Sequence, residues 1–338
     1  MNTLSIESIP LRTIYELTHR PGLQQAIRVA YHARMLADLR DFAATTEDLL
    51  GLPAECSRVL ESLDGARLSP GLAHVHAEFS LLIGDQVYPE QLAAVYQELD
   101  EVLREPVAAG LTVHSFTQDN LFHRRFRQFA LEQEARSAEF DDPAHRVPAA
   151  IAPIPGAEFS RLREIIESVL ATLKVAAPVA HDDITELVSD IGVFRGRPVR
   201  GASAPAFFGC VLVREADEDI APWIWFADHL THEAAHHRLY TAIVDDPLVV
   251  DDRTVTSPVR KDPRPLSGVV HALYVETKLI DTFRRLQSAD VPVSQAELAD
   301  KLAEFTLLHQ QCVEVISEHR DALTQGGRDL LDYCATAV

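Results

Sequence analysis

The chain has 338 residues, of which 47% are hydrophobic and 24% are charged, and its formal net charge is −20. This length and composition are typical of a globular protein with a sizeable core, folded as one large domain or two. The acidic excess disfavours a nucleic-acid partner, because phosphate backbones are bound by clustered Lys and Arg. It also disfavours an anionic membrane surface, and it permits a basic or neutral substrate.

No segment predicts a secreted or membrane location. The N-terminus lacks a basic stretch followed by an apolar one, so no signal peptide is expected. No run of about 18 apolar residues occurs, which disfavours a membrane span. The four cysteines are scattered, without a Cys-x-x-Cys pair, so we expect a reduced, cytoplasmic protein without cysteine-bound zinc. The sequence carries no signal for an oligomeric state.

Residues 1–142 predict a helical region for which substrate binding is the candidate role. Apolar residues recur every three or four positions in 11–19, 22–40, 46–63, 89–104 and 122–140. The histidines of this region accompany no recognisable ligand motif, and we interpret them as surface or core residues; they include His74, His76, His114 and His123. We interpret the basic segment 123–127 as a solvated helix face rather than as a binding site for an acidic substrate.

Residues 157–338 predict a metal-binding catalytic region, separated from the first by the proline-rich segment 141–157. A helix is expected at 158–175, and β-branched and aromatic residues predict strands at 184–194 and 206–215. Further helices are expected at 223–244, 266–286 and from 294 to 323, before a short tail. The predicted fold class is α+β, predominantly helical, with a small sheet packed on the helix at 223–244.

The strongest functional signal is the sequence HEAAH at 232–236. His232 and His236 are four residues apart on a predicted helix, so both imidazoles project from one face, spaced to hold one divalent metal. Such a motif also occurs by chance on exposed helices, but the apolar residues around this one indicate a buried helix. A third protein ligand is expected. The metzincin pattern fails, because Ala242 and Leu239 occupy the positions of its third His and its Gly.

Two residues of the next helix are candidates for the third ligand. His271 and Glu276 lie about 140° apart around the helix axis, so both cannot face one metal. His271 shares a polar stripe with Ser267 and Lys278, whereas Glu276 lies on an apolar stripe with Leu273. This geometry favours His271 as a ligand in a hydrated pocket. Glu276 would then orient a ligand, or it would be the zinc ligand of a thermolysin-like peptidase.

The segment 201–283 contains three motifs that together carry a resemblance to a known family. They are the strand motif FGCVL at 208–212, the HEAAH helix and SPVRKDPRPLSGVVHALY at 257–274. In the last of these an Arg, a D-P-R-P turn and Gly-x-x-His follow one another. With these parts the segment resembles the 2-oxoglutarate-dependent HExxH-type peptide β-hydroxylases, which are associated with ribosomally made, modified peptides. The resemblance covers roughly a quarter of the chain, and the helical N-terminal half matches only loosely.

The resemblance implies Fe(II) held by His232, His236 and His271, with 2-oxoglutarate as cosubstrate and O₂ as oxidant. The implied reaction is hydroxylation of an unactivated carbon, Cβ of a residue in a peptide or in a peptide-like natural-product precursor. Imidazole ligands suit Fe(II) as well as Zn(II), so the spacing alone does not choose the metal.

The far carboxylate of a bound 2-oxoglutarate would need a cation, and Arg is the natural partner because its planar fork bonds a carboxylate bidentately. Arg260 and Arg264 flank the turn that leads to His271, and Arg285 is the third candidate. For each of them the alternative role is to pin the loop through a nearby aspartate.

Two other functions stay open from the sequence. One is a zinc metallopeptidase with His232, His236 and Glu276 as ligands and Glu233 as general base. The other is a non-catalytic peptide-binding protein with a degenerate site, which the intact motif disfavours. In an oxygenase Glu233 would instead orient a ligand or a water molecule. A peptide or amino-acid-like substrate is expected, and a strand edge exposed at 207–213 would pair with an extended peptide.

Overall fold

The computed structural model describes residues 9–50, 55–63, 66–83, 89–104, 110–117, 121–138 and 150–338. These residues contain twelve α-helices and a small mixed sheet of four strands, and the protein is 67% helical. The predicted fold class, α+β and predominantly helical, is confirmed. None of the helices among these residues is both long enough and apolar enough to cross a membrane.

The N-terminal part consists of helices with one short strand. Its elements are α1 Leu11–Tyr15, α2 Leu23–Leu50, α3 Glu55–Ser62, α4 Pro70–Ile83, α5 Pro89–Arg104, β1 Thr112–Ser115 and α6 Leu121–Ala138.

The C-terminal part carries the rest of the sheet and the longest buried helices. Its helices are α7 Gly156–Ala176, α8 Pro178–Asp182, α9 Pro222–Ala242, α10 Leu266–Gln287, α11 Gln295–Glu318 and α12 Gln325–Ala337. Its strands are β2 Asp190–Phe194, β3 Gly201–Ala202 and β4 Cys210–Arg214, with a separate two-stranded ribbon of β5 Thr254–Val255 and β6 Arg264–Pro265.

Several predicted boundaries differ from the structure. The break expected between residues 40 and 46 is absent, because no Gly or Pro interrupts that stretch and α2 continues through it. Residues 70–83, which the sequence did not assign, form α4. The expected tail is α12, in which Gly327 allows close packing rather than ending a helix: a Cβ there would lie 2.0 Å from the Leu248 carbonyl oxygen.

The four strands follow the order β1-β2-β4-β3, with β1, β2 and β4 parallel and β3 antiparallel to β4. Strand β1 comes from the N-terminal part and pairs with β2 of the C-terminal part. The sheet therefore crosses the predicted boundary between 142 and 157, and the division into two regions stays a prediction. At the start of the predicted strand 184–194, residues Asp183–Leu187 form a π-helical turn instead, since a short apolar run does not distinguish helix from strand.

The two faces of the sheet bury different helices, because side chains alternate along a strand. Ile191, Val193 and Val211 belong to the large core that includes α7 and α9. The opposite face, with Phe194 and Leu212, packs in a second apolar cluster with α6. The sheet thus separates the HEAAH helix on one side from α6 on the other.

A buried ion cluster fixes α9 against α10. Asp183, in the π-helical turn, accepts hydrogen bonds from Arg238 of α9 at 2.8 Å and from Lys278 of α10 at 2.5 Å. All three side chains are at most 2% exposed. Arg238 also donates to the carbonyl oxygens of Ile14 and Glu16 at the end of α1. Lys278 therefore belongs to the core and not to a hydrated stripe beside His271.

Candidate metal centre

Helix α9 presents His232 and His236 together. The helix is buried on almost all sides, but these two histidines stay half-buried on the side that opens toward solvent. Their ring centroids are 5.0 Å apart. The next residue, His237, projects about 100° further round the helix. It points to the sheet, where its Nε2 lies 3.1 Å from the Cys210 carbonyl oxygen, so it stands outside this pair.

Helix α10 brings His271 to the same place. Its ring centroid lies 5.8 Å from that of His236, and the two rings are nearly parallel. The start of α10 is held by Asp252, which accepts hydrogen bonds from the Ser267 backbone N–H and hydroxyl, both at 2.8 Å. An acidic side chain is stabilised at this end by the free N–H groups and the helix dipole. Ser267 precedes His271 by one turn, so this contact holds the first turn of the helix that carries the ring.

The three imidazoles are ligands of the kind that a divalent metal accepts, and their ring spacing is close to that of a metal site. Rings bound to one metal at about 2.1 Å would place their centroids roughly 4.5 to 5.3 Å apart. The His232–His236 spacing falls in this range, and the His236–His271 spacing is slightly wider. Their nitrogens do not form a group lying within 4.8 Å of one another, so the rings would have to converge on binding. His236 Nδ1 is buried and has no hydrogen-bond partner in the part of the chain that the structure describes, and a metal ion would supply one.

The three rings are held in the neutral state that metal ligation requires. Burial lowers the pKa of His232, and it lowers that of His236 well below its usual value, with His232 and His271 adding to the effect. Burial also lowers the pKa of His271 to about 4. At neutral pH each of the three imidazoles is therefore uncharged and has one ring nitrogen with a lone pair for a metal.

Glu233 lies beside the histidines but is engaged by strand β3. Its Oε2 accepts a hydrogen bond of 2.5 Å from the Ser203 hydroxyl. Its Oε1 packs so closely on Gly201 that a Cβ there would lie 2.5 Å away. Burial raises the pKa of Glu233. The carboxylate thus connects α9 to the end of the sheet, and both of its oxygens have neighbours there.

Arg260 is an arginine whose charge acts on three residues of this centre. Its guanidinium makes no hydrogen bond or ion pair with any described residue, and it acts on the pKa values of His232, His236 and Glu233. Loss of solvation lowers the pKa of Arg260, and the neighbouring Arg264 lowers it further. Arg264 instead approaches Asp262, with Nε 2.9 Å from Oδ2. Arg260 is therefore available to an anionic ligand, whereas Arg264 is engaged in the loop.

The structure does not bring Arg285 to the histidines. It lies fourteen residues beyond His271 on α10, about 21 Å along the helix axis. Its Nε donates to Asp281 at 2.9 Å, and it lines a surface groove between α7 and the end of α10.

Glu276 also faces away from the three imidazoles. The residue is 3% exposed, and its Oε2 has no hydrogen-bond partner among the described residues. Burial raises its pKa to about 8, with further contributions from Asp228 and Glu304. Glu304 lies on α11, as does Cys312, whose pKa the charge of Glu276 helps to raise, whereas Asp228 lies on α9 one turn before His232. Glu276 is therefore packed against α11, near the first half of α9. Glu276 is not among the charged groups that shift the pKa values of the three histidines.

A second cluster of potential metal ligands was missed from the sequence: His114, His123 and Asp190, with ligand atoms all within 4.8 Å of one another. No local pattern could have revealed it, because the three residues belong to three elements that only the pairing of β1 with β2 brings together. The basic segment around His123 is likewise not one solvated face. Phe126 is fully buried and Arg125 pairs with Glu98 at 2.8 Å.

The expected strand edge at 207–213 is also placed differently. Pro205–Phe207 form a 3₁₀ turn, and β4 lies inside the sheet between β2 and β3. The outermost strand on this side is β3, Gly201–Ala202, directly beside Glu233.

Comparison with known proteins adds no assignment: no family model matches the chain, and neither does any curated protein. The function is therefore argued from the arrangement of its residues.

Proposed function

We propose that the protein is an Fe(II)- and 2-oxoglutarate-dependent oxygenase that hydroxylates an unactivated carbon, Cβ of a residue in a peptide or peptide-like natural-product precursor. One observation carries the proposal: three neutral imidazoles of α9 and α10 face one another beside a guanidinium that has no partner among the described residues. The three imidazoles suit a metal ion, and a metal ion beside the guanidinium suits a dianionic cosubstrate.

In this proposal His232, His236 and His271 hold the metal. Bound Fe(II) with 2-oxoglutarate and O₂ supplies the oxidant for C–H hydroxylation, while 2-oxoglutarate becomes succinate and CO₂. The uncharged ligand set leaves charge compensation to the cosubstrate. Arg260 binds the far carboxylate, because its fork can donate two parallel hydrogen bonds. Arg264, paired with Asp262, positions the loop that carries Arg260.

Glu233 acts here as a positioning residue. Its Oε2 accepts from Ser203 and its Oε1 rests on Gly201, so the carboxylate orients α9 relative to β3. The peptidase alternative requires Glu233 as a base on metal-bound water and Glu276 as the third ligand. The burial of Glu276 toward α11 favours the oxygenase over that alternative.

The substrate would reach the centre along β3. This strand forms the end of the sheet and adjoins Glu233, so an extended peptide could add to its free edge by backbone hydrogen bonds. A reducing, cytoplasmic location suits both Fe(II) and the buried free thiols of Cys210, Cys312 and Cys334.

Succinate formation tests the proposal. With Fe(II), 2-oxoglutarate and O₂ the purified protein should release succinate. In the Arg260→Gln variant the KM for 2-oxoglutarate should rise roughly 10- to 150-fold, since hydrogen bonds to a charged group contribute about 1.5–3 kcal/mol. Arg285→Gln, on the same helix as His271 but distant from it, is the matched control and should leave that KM unchanged.

Two results would contradict the oxygenase. Peptide cleavage with Zn(II), without succinate, would establish the peptidase instead. An equal rise in the KM for 2-oxoglutarate in the Arg260 and Arg285 variants would show that Arg260 does not bind the cosubstrate.

A further inference from the structure

The face of the sheet that packs against α6 carries a cluster of two histidines and one aspartate. His114 lies on β1, Asp190 begins β2 and His123 lies in the first turn of α6. The cluster is remote from the HEAAH helix, because α9 packs on the opposite face of the sheet.

The strand register explains why these side chains meet. Strands β1 and β2 are parallel, with Thr112 opposite Asp190 and His114 opposite Gly192. Residues 190 and 192 share a face, so His114 and Asp190 project to the same side. Gly192 has no side chain to separate them: a Cβ there would lie 2.6 Å from the Phe116 ring. The imidazole of His114 therefore lies over the strand and reaches the carboxylate.

The two histidines approach opposite oxygens of the carboxylate. His114 Nε2 lies 2.5 Å from Asp190 Oδ1, and His123 Nε2 lies 3.3 Å from Oδ2. The two rings are stacked with their centroids 5.1 Å apart. Phe116 and Phe122 border the His123 ring, which makes the surroundings of the cluster largely apolar.

A backbone hydrogen bond orients His114 in the way expected of a metal ligand. Its Nδ1 lies 3.1 Å from the Ser115 carbonyl oxygen, which can only accept, so Nδ1 carries the proton. In a neutral ring Nε2 then holds a lone pair that points at an anionic oxygen. Two lone pairs at this distance repel, unless a proton or a cation lies between them. Ligating histidines commonly donate their second ring N–H to a carbonyl in this way.

We propose that His114, His123 and Asp190 bind a divalent transition-metal ion of the zinc class, which fastens α6 and β1 to β2. Two imidazoles and one carboxylate are ligands that Zn(II) accepts, with a water molecule at the fourth position. The side chains of His114 and Asp190 are 29% and 19% exposed, so one side of the cluster is open to that water.

The distances require a small adjustment. Metal bonds of about 2.1 Å at tetrahedral angles separate two ligand atoms by roughly 3.4 Å. The contact between His123 and Asp190, 3.3 Å, already matches this value. His114 Nε2 contacts the other carboxylate oxygen, Oδ1, at 2.5 Å, so the half-buried His114 ring would turn away from Oδ1 to bring its Nε2 to the same ion.

A proton competes with the metal ion for this cluster. Burial is the strongest single influence on the pKa of His114 and lowers it, but the hydrogen bond to Asp190, the attraction of its charge and the hydrogen bond to the Ser115 carbonyl together raise that pKa above its usual value. Burial likewise acts to raise the pKa of Asp190, and the two histidines lower it to about 2. A carboxylate held ionised between two imidazoles binds protons at low pH and a metal ion at higher pH.

The test is a metal titration in which the HEAAH site has been removed. In the His232→Ala/His236→Ala variant, depleted of metal with a chelator, Co(II) at pH 7.5 should bind at one equivalent and produce visible absorption bands of low-coordinate Co(II). Zn(II) should displace it and raise the melting temperature. Absence of a bound equivalent in this folded variant would overturn the proposal.

Further substitutions in the same background locate the ion. Asp190→Asn keeps the side-chain shape and should abolish the bound equivalent, as should His123→Ala. The matched control is His76→Ala, which removes another histidine that lies 3.2 Å from an aspartate, Asp38. It should retain the bound equivalent. Circular dichroism verifies that each variant is folded, and binding retained in folded Asp190→Asn would also overturn the proposal.

Discussion

At the scale of single residues, the candidate oxygenase centre depends on which side of α10 each polar group faces. His271 lies with the histidines of α9, whereas Glu276, five residues later, is buried toward α11. The sequence predicted this separation because five residues advance about 140° around a helix. It could not predict that Arg260 makes no ion pair with any residue the structure describes while Arg264 approaches Asp262, because an irregular loop has no repeating geometry. The distance of Arg285 from the site was predictable, because fourteen residues of one predicted helix separate it from His271 and span about 21 Å.

Glu276 makes stability depend on pH. Its folded-state pKa of about 8 exceeds the usual value of 4.5, so the folded protein keeps a proton that the unfolded chain loses. Between these values the free energy of unfolding falls as pH rises, by up to about 1.4 kcal/mol per pH unit. Glu276→Gln removes this loss. The difference in unfolding free energy between variant and wild type should shift in favour of the variant, by up to about 3 kcal/mol, from pH 5 to pH 7.5. Urea unfolding at the two pH values measures this shift.

A constant difference in unfolding free energy between the two proteins across this pH range would contradict the buried, protonated Glu276. Metal binding should survive the substitution, and its loss would point to Glu276 as a ligand instead.

At the scale of secondary-structure elements, the long periodic helices were predictable and the short elements were not. Residues 158–175 and 266–286 coincide closely with α7 and α10. The strand β1 was missed because four residues between helices give no distinct alternation, and its pairing with β2 is a long-range contact. For the same reason the cluster of His114, His123 and Asp190 was invisible in the sequence.

The ion cluster around Asp183 determines how α9 and α10 pack. Asp183→Asn would leave Arg238 and Lys278 buried without an anion. Removing one partner of a buried pair typically costs about 3–5 kcal/mol, so chemical unfolding should show a loss of this size. The matched control is Asp332→Asn, which removes an exposed pair with Arg320. There the loss should be at most about 1 kcal/mol. Equal losses in the two variants would show that the buried cluster does not stabilise the packing.

At the scale of the whole molecule, one small sheet divides two candidate metal sites. On one side α9 and α10 present three imidazoles, and on the other α6 contributes His123 to the cluster with Asp190. The motif spacing in the sequence predicted the first candidate site, whereas the second could be recognised only from the fold. The three histidines of the first site come from only two neighbouring helices, which is why residues 232–271 carried most of the functional signal.

The central claim, that His232, His236 and His271 hold an iron that 2-oxoglutarate chelates, is tested most directly by an anaerobic titration. Addition of 2-oxoglutarate to the Fe(II)-loaded protein should produce a metal-to-ligand charge-transfer band in the visible spectrum. His271→Ala should abolish this band, and Glu276→Gln should preserve it. Absence of the band in the wild type, or its loss in Glu276→Gln with retention in His271→Ala, would contradict the account.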